Sequence, residues 1–228
     1  MADELIFYTN PMSRGQIARW MLEEVGVAYE PRILDYGTTM KDAAYLEVNP
    51  MGKVPAIVHN GKAVTECAAI CAYLADAFPE AGLAPDPADR ADYYRWLFFT
   101  AGPVEQAITA KHFGIEPDTD QQRMAGFGSL AAALDALESA VAGKAFVAGD
   151  RFSAADVYVG SQIDWGLQFG TIAPRPAFEA YAAGLREPSA PRGAADRRGS
   201  GSGSRSPSSH PARAAPTAPS PGSPTGGL

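Results

Sequence analysis

The first 78 residues combine two periodicities of apolar positions, one typical of strands and one typical of helices. Short apolar runs bounded by chain breaks predict strands at residues 5–8, 29–34, 56–58 and 63–65. Apolar residues three and four apart predict helices at residues 13–25 and 66–78, with a looser helical segment near 41–48. This order of elements indicates a small mixed sheet that is covered by helices.

Turn residues separate these elements at the expected places. Asn10-Pro11 ends the first strand, and Asn49-Pro50 ends the loose helical segment. Asn60-Gly61 lies between two apolar runs and predicts a tight hairpin, because both residues tolerate positive φ angles. Gly26 follows the first helix and is typical of a left-handed residue after a helix end.

From residue 89 onward every apolar pattern is helical, and the first predicted helix is a long aromatic one over residues 93–108. The segment 79–88 is rich in proline and small residues and predicts a linker between an N-terminal domain, residues 1–78, and an all-helical domain, residues 89–185. In the second domain, Ser153 and Asp156 have the spacing of a capping box, in which each residue bonds the backbone of the other. We assign Asp156 to structure and not to catalysis.

Residues 186–228 differ in composition from the rest of the chain. They contain eight Pro, seven Gly and nine Ser, with no aromatic residue. Such a segment cannot bury enough apolar surface to offset the entropy of ordering it, so we predict a disordered, basic tail.

Charge and cysteine usage narrow the function classes. The chain carries a net charge of −7, and the acidic excess lies outside the basic tail, which argues against nucleic-acid binding. Cys67 and Cys71 are too few for a disulfide framework, and the three histidines show no metal-ligand spacing, so we predict no metal site. The apolar runs are too short to span a membrane and the N-terminus does not resemble a signal peptide, so we expect a cytoplasmic protein.

The segment around Val54 and Pro55 points to a ligand. If the bond before Pro55 is cis, the backbone N–H and C=O of Val54 face outward and can pair with an extended peptide. The helix that begins near Glu66 offers unpaired N–H groups to a carboxylate, and the Glu66 side chain can take an ammonium group. A small peptide with a free amine and a carboxylate satisfies both requirements.

The chain resembles the glutathione S-transferase superfamily over residues 4–185. The resemblance rests on four segments in order, FYTNPMSRGQIARWMLEEVGVAYE, NPMGKVPAIV, TECAAICAYL and FVAGDRFSAADVYVGSQIDW. It implies an α+β fold, in which a thioredoxin-like domain with a mixed four-stranded sheet precedes an all-α domain, and usually a homodimer. It also implies glutathione as co-substrate, whose thiol is added to a small hydrophobic electrophile. A glutathione-dependent isomerase, an ether-cleaving or dehalogenating enzyme, and a non-catalytic glutathione-binding scaffold remain alternatives.

The resemblance also implies residue roles at the glutathione site. Val54 would pair with the cysteinyl backbone of glutathione, and Pro55 would be the cis-proline. Glu66 and Cys67 would bind the γ-glutamyl end, although family members usually have serine in place of Cys67. Lys53 would meet the glycyl carboxylate, with Lys41 as a weaker candidate.

Two hydroxyl groups compete for activation of the thiol. Ser13 matches the serine-type branch of the family and Tyr8 the tyrosine-type branch, and we favour Ser13 because it lies at a helix start. Asn10 could also reach the thiolate. Arg14 could support the thiolate, be solvated at the surface, or pair with Glu24 or Asp35. The electrophile is expected between the domains, and the candidate residues for its pocket are Pro11, Met12, Phe99 and Trp165, with Phe98, Phe113 and Phe169 also available.

Overall fold

The computed structural model describes residues 4–187, and all of these lie in one compact unit. The predicted tail, residues 186–228, therefore falls outside the described residues apart from Arg186 and Glu187. No helix among residues 4–187 is both long and apolar enough to cross a membrane.

Four strands form one mixed sheet in the order β2-β1-β3-β4. Their bounds are β1 Leu5–Thr9, β2 Glu30–Ile33, β3 Ala56–His59 and β4 Lys62–Thr65. β1 runs parallel to β2 and antiparallel to β3, and β3 pairs antiparallel with β4. Because side chains alternate across a strand, Phe7 and Ile57 face one side of the sheet, and Tyr8, Arg32 and Ala56 face the other.

Among residues 4–187, three α-helices accompany the sheet and six follow it. The first three are α1 Gly15–Val25, α2 Ala43–Leu46 and α3 Cys67–Ala77. The others are α4 Ala91–Phe99, α5 Glu105–His112, α6 Gln121–Met124, α7 Leu130–Val141, α8 Ala154–Phe169 and α9 Pro176–Arg186. This arrangement confirms the predicted fold class, a thioredoxin-like part followed by a helical part.

The two faces of the sheet bury apolar residues in separate clusters. On one face, Phe7 and Ile57 join the large core that also contains residues of α1, α3, α4, α7, α8 and α9. On the other face, Met40, Tyr45 and Ala56 form a small cluster against which Tyr8 and Val54 pack. The small cluster therefore anchors the chain on either side of the Val54–Pro55 bond.

The predicted turns are confirmed, and one predicted helix is interrupted. Asn60 and Gly61 have φ angles of 49° and 77°, as the tight hairpin requires, and Gly26 has a φ of 74° after α1. The helix expected over residues 93–108 consists of α4, a π-helical turn over Thr100–Val104, and α5. Pro103 lies inside this turn. Because proline lacks an N–H group, the regular hydrogen-bond ladder cannot continue through it.

The segment predicted as a linker is not without structure. Short 3₁₀ turns occupy Pro79–Ala81 and Pro87–Asp89. Between them, the carbonyl oxygen of Leu83 accepts a hydrogen bond from the N–H of Ala154 at 2.8 Å, and the Leu83 side chain is fully buried. The segment therefore packs against the start of α8.

Candidate active site

The loop between β1 and α1 is shaped by Asn10. Its side-chain amide donates to the carbonyl oxygen of Leu34 at 2.7 Å, and its Oδ1 accepts from the N–H of Met12 at 2.9 Å. These bonds tie the loop to the end of β2 and fold its next two residues into a turn. In this structure the Asn10 side chain thus bonds its own loop and Leu34.

Ser13 lies at the start of α1 with its hydroxyl group in two hydrogen bonds. Its Oγ donates to the carbonyl oxygen of Asn10 at 2.6 Å and accepts from the N–H of Gly15 at 3.0 Å. The helix itself begins two residues later, at Gly15, and Arg14 occupies the cap position without a side-chain capping bond. The Ser13 oxygen therefore sits over the positive end of the α1 dipole.

Gly15 allows a close approach between the strand end and the helix. A Cβ atom at Gly15 would lie 2.1 Å from Oγ1 of Thr9 and 2.9 Å from Oγ of Ser13. The hydroxyl groups of Thr9 and Ser13 therefore both lie next to Gly15. Thr9 was not among the residues predicted from the sequence. The alternation of side chains along β1 was the available signal, because it places Thr9 and not Tyr8 on the α1 side of the sheet.

Tyr8 belongs to the opposite face of the sheet. Its hydroxyl oxygen accepts from Arg32 Nη1 at 3.2 Å, and its ring packs against Tyr45 with centroids 5.2 Å apart. The structure thus gives the two candidate hydroxyls different surroundings: Ser13 at a helix start, and Tyr8 in a cluster with Arg32 and Tyr45.

The loop before β3 presents the Val54 backbone. The Val54–Pro55 peptide bond is cis. The preceding carbonyl oxygen, that of Lys53, accepts from the Tyr45 hydroxyl at 2.5 Å and from the Asn49 amide at 2.8 Å. Burial raises the pKa of Tyr45 to about 12, so its hydroxyl remains a donor. Within residues 4–187, the N–H and C=O of Val54 have no hydrogen-bond partner.

Lys41 bonds the backbone of the same loop. Its Nζ donates to the carbonyl oxygens of Met51 and Gly52, each at 3.0 Å. The ammonium group of Lys41 is therefore engaged with the loop itself, whereas the Lys53 side chain is exposed beside Val54.

The start of α3 lies close to the loop before β3 in the sheet, because Thr65, two residues before α3, pairs with Ala56. Glu66 precedes the helix with φ 65° and ψ 117°, an unusual conformation for a residue other than glycine. Its side chain is exposed and makes no ion pair or hydrogen bond with another described residue. Such strained positions cluster at ligand sites, because the surrounding structure must hold them in place. Together with the free N–H groups of the first turn, Glu66 offers one acceptor and several donors to a zwitterionic ligand end.

Cys67 points away from solvent. Its side chain is buried, and Sγ lies 3.6 Å from the carbonyl oxygen of Arg14, to which the thiol donates. Its contact with Cys71 and its burial raise the pKa of the Cys67 thiol well above the ordinary value. Cys67 is therefore a protonated thiol, and a ligand at this position would meet its backbone N–H and not its sulfur.

Arg14 has a different partner from those expected. Its Nε lies 3.2 Å from Oε1 of Glu105, the first residue of α5. Glu24, one of the partners considered from sequence, instead accepts from Trp20 Nε1 at 2.7 Å. The expectation failed because the true partner is distant in sequence and lies in the helical part of the chain.

The four residues predicted to bind the electrophile occupy different surroundings. Pro11 lines a cavity of about 180 Å³ with residues of β1, α1 and β2, and Met12 is largely exposed. Phe99 and Trp165 are partly buried and pack against the large core, Phe99 edge-on to Trp96 and Trp165 edge-on to Phe169. Of these four residues, only Pro11 lines either of the two cavities found among residues 4–187.

Comparison with known proteins identifies the family. Residues 12–77 match the model for the glutathione S-transferase N-terminal domain, and residues 105–165 match the model for its C-terminal domain. The chain belongs to the glutathione S-transferase superfamily, as predicted from its sequence. Among residues 4–187 there is no group of three His, Cys, Asp or Glu side chains that could hold a metal ion.

Individual relatives show how far the similarity extends. Glutathione S-transferase GST-4.5 of Xanthomonas campestris is 28% identical over 170 residues, which cover 72% of this chain and 83% of that protein. Protein LigF of Sphingobium is 40% identical over 79 residues, only 33% of this chain and 31% of LigF. The solved structure of a sphingomonad glutathione S-transferase complexed with glutathione matches with a TM-score of 0.64 and 30% identity, covering 80% of this chain and 92% of that one.

Proposed function

We propose that this protein is a glutathione transferase that holds glutathione along the Val54 backbone and adds its thiol to a small hydrophobic electrophile. The observation that carries the proposal is the unpaired main chain of Val54 next to a cis-proline. A bound peptide satisfies both groups in the manner of an added strand. A related structure of 30% identity contains glutathione, which supports the same ligand here.

Three further groups complete the binding of the peptide ends. The exposed Glu66 carboxylate takes the ammonium group of the γ-glutamyl end, and the first turn of α3 takes its carboxylate. The exposed Lys53 is available for the glycyl carboxylate. In this assignment the ligand bonds the backbone N–H of Cys67, because the thiol of that residue donates to the carbonyl oxygen of Arg14.

Ser13 activates the thiol in this proposal. A free thiol with a pKa of about 8.5 is mostly protonated at neutral pH, and only the thiolate is a good nucleophile. The Ser13 hydroxyl turns from the Asn10 carbonyl and donates to sulfur, and the α1 dipole adds to the stabilisation of the thiolate. The thiol proton passes to solvent, and thiolate attack forms the carbon–sulfur bond. In a substitution the pair of the broken bond departs with the leaving group. In an addition the π pair moves to the neighbouring atom, which takes a proton from water.

A second candidate, glutathione binding without catalysis, is favoured by one specific contact. The 2.6 Å bond from Ser13 to Asn10 already uses the hydroxyl proton that activation requires. Titration calorimetry with glutathione, together with turnover of a generic aryl halide, separates the two. Uptake with turnover supports the transferase, uptake without turnover on a broad electrophile panel supports the binding protein, and no uptake at millimolar glutathione contradicts both.

We also infer a homodimer, the usual assembly of the family. Several large apolar side chains are exposed, including Met51 in the loop before Val54 and Phe98 on α4, which are 63% and 71% accessible. Burial of such groups favours association. Sedimentation velocity at micromolar concentration should show a dimer, and a single monomeric species would contradict the inference.

Replacing Gly52 by alanine should weaken glutathione binding. Gly52 has a φ of 56°, and a Cβ there would lie 2.6 Å from the carbonyl oxygen of Met40, so the loop must shift and move Val54. We expect about tenfold weaker binding by calorimetry, since a displaced strand edge loses its paired hydrogen bonds.

Gly61→Ala provides the matched control for this change. Gly61 has a comparable φ of 77°, but a Cβ there would meet nothing within 4 Å, and it lies in the hairpin. Both variants should lose about 1–2 kcal/mol of stability from the left-handed backbone, and the Gly52 variant should lose more because its loop must also shift. Only the Gly52 variant should lose affinity. Equal affinities in the two variants would show that the loop does not present the peptide.

A further inference from the structure

One carboxylate of the helical part connects the Ser13 loop with α8. Oε1 of Glu105 accepts from the Tyr158 hydroxyl at 2.8 Å and from the Gln162 amide at 2.8 Å, both on α8. The same oxygen lies 3.2 Å from Nε of Arg14, the residue that follows Ser13. Burial and the nearby Glu105 carboxylate raise the pKa of Tyr158, so this phenol remains a donor.

The π-helical turn directs Glu105 toward this position. It occupies Thr100–Val104, directly before Glu105, and contains Pro103. A π turn inserts one residue relative to a regular helix, which rotates all that follows by roughly 100° about the axis. Such turns are frequent at functional sites. Without it, the side chain of residue 105 would face a different neighbour.

Arg14 is held from a second direction as well. Its carbonyl oxygen accepts from the N–H of Ile17 at 3.0 Å and from the Cys67 thiol at 3.6 Å. The residue is therefore fixed by α3 through its backbone and by α5 through its side chain. Because Ser13 is its covalent neighbour, both contacts constrain the backbone that carries the Ser13 hydroxyl.

We propose that Glu105 is a positioning residue for thiol activation, holding Arg14 so that the Ser13 hydroxyl points at the glutathione sulfur. This inference rests on the proposed transferase function. The Arg14–Glu105 ion pair itself contributes little to stability, because the Arg14 side chain is 51% accessible. The stabilising part of Glu105 lies in its bonds to Tyr158 and Gln162. The consequence of losing Glu105 is therefore expected in kcat.

The charged groups near the proposed thiolate allow two effects of Glu105 to be separated: its effect on the orientation of the Ser13 hydroxyl, and its electrostatic effect on the pKa of the glutathione thiol. Arg14 and Glu105 are opposite charges, Glu66 and Lys53 lie at the peptide ends, and the Cys67 thiol and Tyr158 phenol are neutral. Removing the negative Glu105 charge alone would favour the thiolate and move the pH profile to lower pH. Loss of the Ser13 hydrogen bond would move it to higher pH.

Steady-state kinetics of Glu105→Ala and Glu105→Gln test the proposal. The alanine variant should lower kcat about tenfold, with the pH profile moved to higher pH and the glutathione KM changed by no more than about twofold. The glutamine variant keeps an oxygen for Arg14 and should recover most of kcat. Arg14→Met breaks the same contact by removing the more exposed partner. The double variant Arg14→Met/Glu105→Ala should have the same kcat as Glu105→Ala.

Asp76→Ala is the matched control, because Asp76 of α3 forms a comparable ion pair, 2.9 Å from Arg90 at the start of α4. It should leave kcat and the pH profile unchanged. Three outcomes would overturn the positioning role and leave the proposed function intact. These are an unchanged kcat in Glu105→Ala, an equal loss of kcat in Asp76→Ala, and a shift of the pH profile to lower pH in both Glu105 variants. Where Glu105→Ala does not fold by circular dichroism, an unchanged kcat in Arg14→Met overturns the positioning role. A native protein that takes up no glutathione overturns the proposed function and this inference with it.

Discussion

Replacing Ser13 by alanine is expected to lower kcat for thiol addition by about 10²-fold at pH 7, the usual effect of removing one donor from a developing or stabilised anion. Glutathione affinity should remain, since Val54, Glu66 and the α3 start do not depend on this hydroxyl. The serine also accepts from the Gly15 N–H, so its loss should cost about 1 kcal/mol of stability, small enough for the variant to fold.

The pH dependence of the Ser13 variant gives the most specific measurement. Without the hydroxyl the thiol of bound glutathione should return toward its ordinary pKa of about 8.5. The deficit relative to the native enzyme should therefore shrink as pH rises, because the thiol then ionises unaided. A deficit that is constant with pH would indicate a misplaced ligand and not a lost donor.

Tyr8→Phe is the matched control for the Ser13 change. It also removes one hydroxyl near the end of β1, but that hydroxyl accepts from Arg32 in the cluster on the other face of the sheet. We expect native kcat and a native pH profile. If this variant loses activity and Ser13→Ala does not, the thiol is activated by the tyrosine, and the assignment of Ser13 is wrong.

The fold was largely predictable because its signals are local. Asn60-Gly61 specifies its hairpin through the φ angles that these two residues tolerate, and Gly26 ends α1 for the same reason. Apolar spacing placed α1 and α3, since each buries one face in the core. The π turn was missed although Pro103 marks it, because the aromatic pattern around it continues with helical spacing.

The site was predictable only where its chemistry is carried by the backbone. Pro55 and the helix start after Glu66 are visible in sequence, because each changes the main chain directly. The partner of Arg14 was not visible, since Glu105 lies in another part of the fold and is oriented by the intervening turn. The inward orientation of Cys67 likewise depends on where α1 packs against α3.

Replacing Asp156 by alanine is expected to cost the most stability of any change considered, about 3–5 kcal/mol. The carboxylate is fully buried and accepts four hydrogen bonds, from the N–H of Val147 at 2.7 Å, the N–H and hydroxyl of Ser153 at 2.9 and 3.0 Å, and the Tyr181 hydroxyl at 2.6 Å. Burial raises the pKa of this carboxyl, and its hydrogen-bond donors act in the opposite direction. Alanine leaves these donors unpaired in the interior, each at a cost of about 1–3 kcal/mol before relaxation.

Ser129→Ala separates the buried network around Asp156 from ordinary helix capping. Ser129 caps α7 with a single bond from the Ala132 N–H at 3.1 Å, at an accessible position, and its loss should cost about 1 kcal/mol. In urea unfolding, Asp156→Ala should therefore lose several times as much unfolding free energy as Ser129→Ala, with equal m-values in the two variants. Because Asp156 joins the loop at Val147, the start of α8 and Tyr181 of α9, its variant should also unfold these elements first in hydrogen exchange. Equal losses in the two variants would mean that the carboxylate acts only as a helix cap, and that α8 and α9 are held together by their apolar contacts and the Arg186–Asp164 ion pair.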